Sequence, residues 1–154
     1  MSETAETNRT SQKRRITFFI AIAVVVFLVL VYVGGIFILP ASIQASHQNK
    51  KCGSTLTLNS IYTSIYPSFM ADKSLAGPVM ECAVFTLASL NEEKKAWLDS
   101  YDAFNVYSET YPNGLFIAEA HEDSAVVLTG LAREQLSEKK YAEAMGSLNL
   151  VLSK

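Results

Sequence analysis

The sequence is poor in groups that do chemistry. It has two histidines, two cysteines and one tryptophan in 154 residues. It contains no glycine-rich phosphate loop, no His-Glu-x-x-His and no Gly-x-Ser-x-Gly. His121 lies in Glu119-Ala120-His121-Glu122-Asp123. On a helix Glu119 and Asp123 share a face and His121 points away from both, which reads as a solvated polar face rather than a metal site. The two cysteines fit no metal-ligand spacing. The expectation is therefore a protein that is not an enzyme and takes no cofactor or metal. Basic charge is scarce too: from Pro40 onward there are nine Lys and Arg against thirteen Asp and Glu. That part lacks the electrostatic footprint of a nucleic-acid binder.

What is present is a long apolar run. Ile16 to Leu39 holds 24 uncharged residues directly behind Lys13, Arg14 and Arg15. As a helix it would be roughly 36 Å long, enough for a hydrocarbon core of about 30 Å with some tilt. A cleaved secretory signal needs a shorter run and a small-x-small site, but Ile43-Gln44-Ala45 has a bulky first position. A lipoprotein needs small residues before its cysteine, whereas Cys52 follows Asn49-Lys50-Lys51. An uncleaved anchor is expected. Arg9, Lys13, Arg14 and Arg15 precede the run, and only Lys50 and Lys51 follow closely. This asymmetry predicts a cytoplasmic N-terminus and an extracytoplasmic C-terminal part in the plasma (inner) membrane. The Asn8-Arg9-Thr10 triplet would then lie on the cytoplasmic side. The chain divides into a cytoplasmic tail (1–15), polar and disordered over 1–12; a transmembrane helix (16–39); a juxtamembrane linker (40–51), with His47 in it; and a helical domain (52–154).

The domain reads as all-α. Glycine is sparse, and the prolines at 67, 78 and 112 fall at boundaries. Five helices are expected. The first runs from about Ser54 to Tyr66, with Leu56, Asn59, Tyr62 and Tyr66 on one stripe. The second starts at Gly77-Pro78 and reaches about Leu90. The third starts with Asn91 as N-cap, followed by Glu92 and Glu93, and runs to Tyr111. The fourth spans Leu115 to Leu136. The fifth starts at Ser137-Glu138. Glu92-Glu93-Lys94-Lys95 and Ser137-Glu138-Lys139-Lys140 are both read as charged helix starts. Cys52 and Cys82 are a candidate disulfide if the domain is extracytoplasmic, provided the Pro67–Gly77 loop runs back along the first helix; two buried free thiols are the alternative.

The pattern repeats. A shift of 44 residues places Val84, Leu87, Ala88, Trp97, Ser100, Phe104 and Tyr107 on Leu128, Leu131, Ala132, Tyr141, Ala144, Leu148 and Val151. A shift of 45 places 58–67 on 103–112, both ending Tyr-Pro. Two helix pairs preceded by one unpaired helix follow, and repeats of this length argue for a solenoid. Leu128-x-x-Leu131-Ala132 followed by Tyr141-x-x-Ala144-x-x-x-Leu148-x-x-Val151 resembles a tetratricopeptide repeat. Tyr111-Pro112 leading to Phe116-Ile117-Ala118-Glu119-Ala120 resembles the junction between such repeats in bacterial envelope and outer-membrane-assembly proteins. Gln135 and Ser100 depart from the motif, which prefers an aromatic and an alanine there. The resemblance implies that Val84, Leu87, Ala88, Trp97, Phe104, Tyr107, Leu128, Leu131, Ala132, Tyr141, Ala144 and Leu148 pack the repeats. It also implies a concave groove for peptides.

Most of the aromatic set is expected in the core, and Tyr101, off the packing positions, is the candidate groove residue. The sequence stops in the fifth helix without a polar capping helix, so Leu148, Val151 and Leu152 are candidates for a partner or self-association surface. The expected function is a single-pass membrane-anchored protein–protein interaction module, a scaffold or assembly subunit of an envelope complex. The alternative is a structural subunit whose transmembrane helix packs against other spans through Gly34-Gly35.

Overall fold

A computed structural model describes residues 3–153, with side chains from residue 18 onward. Among these residues the chain is all-helical: α1 (Glu3–Gln48), α2 (Cys52–Ile65), α3 (Ala76–Glu93), α4 (Trp97–Thr110), α5 (Ile117–Ser137) and α6 (Tyr141–Leu152), with a short 3-10 turn at Lys73–Leu75. The chain divides into two units, one of residues 1–39 and one of residues 40–154.

The first unit is helical from Glu3, including the polar segment expected as an irregular tail. Its apolar part is one helix long and apolar enough to cross a membrane, with mean hydropathy 3.1 over its apolar stretch. Phe18 through Val33 are largely exposed apolar side chains. An established helix extends into polar sequence at little cost, because nucleation is already achieved.

The second unit begins inside α1. The expected linker is helical to Gln48, with Pro40 within the helix and Ile43 fully buried. Proline at 40 lacks one N–H for the helix ladder but leaves the flanking bonds possible. From α2 onward, α2 packs on α3, α3 on α4, α4 on α5 and α5 on α6.

Three helix–helix turns have the same construction. Lys50, Lys95 and Lys139 sit in the left-handed region with φ of 56°, 58° and 62°. In each turn the following N–H reaches back five residues: Lys51 to Ser46 O, Ala96 to Asn91 O, Lys140 to Gln135 O, at 2.8–2.9 Å. The left-handed residue itself bonds three back, to His47, Glu92 and Leu136 carbonyls. This double bond pattern satisfies carbonyls that a helix end leaves orphaned. It also corrects two expected helix starts. Asn91, Glu92 and Glu93 end α3, and Ser137 ends α5, while the lysines that follow form the turns.

Each turn sits between two buried residues of equal spacing: Ile43 and Thr55, Ala88 and Ser100, Ala132 and Ala144, none more than 1% exposed. Ser100 Oγ donates to Ala88 O at 2.9 Å across the middle pair. Thus α2, expected to be unpaired, follows the tail of α1 through the same turn that joins the later pairs.

The core is aromatic. Phe104 and Tyr107 are fully buried, and Phe85 meets Phe104, Tyr107 and Phe116 at centroid distances of 4.7–5.9 Å. Truncating a ring such as Phe104 in a core of this kind costs about 3–5 kcal/mol.

Candidate functional site

Two features stand out from this scaffold: a buried polar network that ties its segments together, and a cleft on its surface.

The network centres on Glu81 of α3, a carboxylate only 7% exposed. Tyr107 Oη of α4 donates to Glu81 Oε1 at 2.7 Å, and the Leu115 N–H donates to the same oxygen at 2.6 Å. His47 Nε2 meets Glu81 Oε2 at 2.8 Å. Phe116 N–H donates to Tyr107 Oη at 3.0 Å. Four segments therefore converge: the tail of α1, α3, α4 and the α4–α5 loop. Burial opposes ionisation of Glu81, but the bonds from Tyr107, His47 and Leu115 together outweigh it and hold the carboxyl below its usual range. Burial and the neighbouring carboxylate push the Tyr107 phenol well up.

Gly114 borders this network. A Cβ there would lie 2.5 Å from Tyr107 Oη and 2.6 Å from Glu81 Oε1. The Pro112-Asn113-Gly114 break thus carries a steric requirement as well as a turn. Sequence patterns indicated the turn but gave no sign of Glu81, which stands alone among apolar neighbours in Met80-Glu81-Cys82.

Cys52 and Cys82 are joined in a disulfide, with Cα atoms 5.0 Å apart. Cys52 opens α2 and Cys82 lies in the second turn of α3. The loop between these helices returns along α2. Tyr62 Oη accepts from Asp72 N–H and donates to Met70 O, both at 3.2 Å.

The cleft has a volume of about 460 Å³ and is lined by Trp97 of α4 and Glu122, Val126, Gly130 and Arg133 of α5, among others. Gly130 lets the Trp97 ring lie against α5, since an added Cβ would meet the ring at 2.9 Å. The cleft offers an aromatic face flanked by an acid and a base. Tyr101, the expected groove residue, is half-buried and packs against the core instead. It lies one helical turn from Trp97, and both rings pack in part against the core.

The residues expected to pack the helix pairs fall into two groups. Ala88, Phe104, Tyr107, Leu128, Ala132 and Ala144 are buried. Val84 and Trp97 are half-buried against the core and Leu131 is half-buried. Leu87 and Tyr141 are more than half exposed, which corrects their expected packing role. Tyr141 is the first residue of α6, and no described element lies over it. Leu148 is 39% exposed, Val151 is half-buried and Leu152 is 85% exposed. His121 is exposed, and the described residues hold no group of three or more His, Cys, Asp or Glu placed for a metal. Lys50 pairs with Glu119, which holds that carboxyl below its usual range.

Comparison with protein-family models, with curated proteins and with solved structures finds no match to this chain.

Proposed function

We propose that this protein is a single-pass, membrane-anchored module for protein–protein interaction, built from three tetratricopeptide-like helix pairs. The observation that carries this reading is the threefold recurrence of one turn, at Lys50, Lys95 and Lys139, 45 and then 44 residues apart. Each turn lies between two buried residues with the same separation, the place where tetratricopeptide helices close on each other. Such arrays define packing surfaces rather than reaction centres. The module acts as a scaffold or assembly subunit of an envelope complex and has no catalytic role.

The anchor is the apolar part of α1, with the N-terminus in the cytoplasm and the helical unit outside the plasma membrane. The bases Lys13, Arg14 and Arg15 before the run support this orientation. The Cys52–Cys82 bond supports it independently, because disulfides persist in oxidising compartments.

The cleft at Trp97 and Gly130 is the binding surface in this reading. The test is a photo-crosslinking residue at Val126, on the cleft, and another at Thr57, exposed on α2, in the full chain in its own membrane. Adducts at 126 that disappear when Gly130→Leu fills the cleft are the expected result. Equal adducts at both positions, or none at 126, would overturn the assignment of the cleft.

A further inference from the structure

The Tyr66–Leu75 loop exposes apolar side chains to a degree unusual for a connection. Phe69 is 82% exposed, and Met70 beside it and Ile65 just before are each more than 40% exposed. A phenyl ring held in water forgoes the burial that would otherwise stabilise it. The neighbouring loop atoms are not loose. Tyr62 Oη holds Met70 O and Asp72 N–H, and Asp72 Oδ1 accepts from Ser74 N–H at 2.9 Å. The loop is therefore pinned to α2 in a form that presents Phe69 outward.

Contacts within this unit place the loop at its Pro40 end. Gln44 Nε2 donates to Ser74 Oγ at 3.2 Å, and further along His47 meets Glu81 at 2.8 Å. The segment 74–81 thus advances in the same direction as 44–47, and what precedes Ser74 lies toward Pro40. Helix α2 runs the opposite way, from Cys52 bonded to Cys82 toward Tyr62 bonded to the loop. Its 14 residues rise about 21 Å, against about 12 Å from Gln48 back to Pro40. The end of α2 and the loop after it therefore reach at least to the level of Pro40.

Pro40 follows Leu39 by one peptide bond. In the proposed anchor the apolar run enters the bilayer, so Pro40 is the point of this unit held covalently at the membrane. We infer that the Phe69-Met70 tip inserts into the headgroup boundary of the same membrane, giving the helical unit a second attachment beside its covalent tether. This rests on the proposed anchor. The ligand is the lipid surface itself: apolar side chains enter the boundary, and exposed Lys73 lies within reach of anionic headgroups. Two attachments restrict the tumbling of the unit and present its cleft at a set height above the bilayer.

The test uses the full chain in vesicles of phosphatidylcholine and phosphatidylglycerol under non-reducing conditions, so that Cys52 and Cys82 stay paired. Single cysteines at Phe69, Leu98 and Phe27 carry an environment-sensitive nitrobenzoxadiazole probe, and lipids spin-labelled near the headgroup or deep in the chain serve as quenchers. The expected result is blue-shifted emission at 69 with strong quenching from the shallow label, deep-label quenching at 27, and neither at 98. Emission at 69 matching that at 98, with 27 still quenched, would overturn the inference and leave the anchor standing. An unquenched probe at 27 would overturn the anchor, and this inference with it. A probe at Met70→Cys should lose most of its quenching when Phe69→Asp is added. Unchanged quenching would show the dye inserting on its own and would sink the proposal.

Discussion

Tyr62 and Tyr107 stand 45 residues apart and do the same thing: each turns its hydroxyl onto the loop that follows its helix, and each ring pairs with the tyrosine four residues on. The centroid distances are 5.1 Å to Tyr66 and 5.3 Å to Tyr111. Both of those second tyrosines precede a proline, which disfavours a further helical turn. The two hydroxyls differ in what they hold. Tyr62 bonds only backbone groups of its loop, at 3.2 Å. Tyr107 bonds a buried carboxylate and the Phe116 N–H. Tyr107→Phe leaves that N–H without its hydroxyl partner and Glu81 short of a donor, so it should cost about 2–3 kcal/mol. Tyr62→Phe, whose loop atoms lie closer to water, should cost about 1 kcal/mol. Chemical denaturation of the two variants in the same detergent checks the order, and equal losses would contradict the account of Tyr107.

Acid should act on the fold through Glu81. Its folded-state pKa is lowered, so it binds fewer protons folded than unfolded at mildly acidic pH. Its contribution is therefore fully present above the unfolded-state value, about 4.3, and is lost as pH falls through the lower folded value. Asp123 and Glu92 have the opposite sign. Burial is the largest cause, with Glu122 and Glu119 beside Asp123, and with Asp123 and Glu93 beside Glu92, and both carboxyls are raised. They detract from stability once ionised. Glu81→Gln should therefore be less stable at neutral pH but lose less between pH 5 and 3, a window taken from the reference acid range. Asp123→Asn should gain about 0.5 kcal/mol at pH 7, the scale of a screened surface charge, and nothing at pH 3. Thermal unfolding across that range separates the two acids.

Gly114 and Gly146 make a matched pair. At Gly114 an added methyl would sit 2.5 Å from Tyr107 Oη, 2.6 Å from Glu81 Oε1 and 2.8 Å from Tyr111 Cβ. Gly114→Ala should cost about 1–3 kcal/mol, because the obstacles are locked in the hydrogen-bonded network and cannot step aside. At Gly146, inside α6, nothing lies within 4 Å of the added atom. Gly146→Ala should stabilise by about 0.5–1 kcal/mol, through helix propensity and a less flexible unfolded chain. Shifts of the same sign in the two melting curves would contradict this steric account.

The parts of the fold legible in the sequence are those carried by spacing. The apolar run, the helix content, and the buried positions Ala88, Phe104, Tyr107, Leu128, Ala132 and Ala144 all follow from side chains that must repeat to share a face. The turns carry a weaker signal. Lys50, Lys95 and Lys139 adopt a left-handed conformation that usually calls for glycine or asparagine, so the residue type gives no signal. The acids before two of those lysines then look like helix starts when they are helix ends. The first of the three turns is hidden for another reason. The helix that leads into it is continuous with the apolar run, and Pro40 reads as a boundary where the backbone stays helical. The Glu81 network is invisible in sequence because the partners of Glu81 come from three separate segments.

In the proposed reading the disulfide joins the stability of the fold to the side of the membrane on which it works. Cys52 and Cys82 are 30 residues apart in sequence, and closing a loop of that length removes about 3–4 kcal/mol of unfolded-state freedom at 25 °C in the chain-entropy picture. Cys82 is fully buried beside Glu81, so its sulfur has little access to reagents while the fold holds. Replacing both cysteines with serine should lower the unfolding midpoint clearly, and reductant should shift the wild-type protein and leave the double variant unmoved. In intact cells the proposed orientation makes a second demand. After denaturation with free thiols already blocked, the two cysteines should accept a maleimide only if reductant was added. A cysteine at exposed Leu98 should react with a membrane-impermeant maleimide before lysis. Leu98→Cys labelled only after permeabilisation would place the helical unit on the cytoplasmic side and reverse the orientation read from Lys13, Arg14 and Arg15. Reactivity of Cys52 and Cys82 without reductant would show that the bond does not form in the cell, and the stability it contributes would be missing there as well.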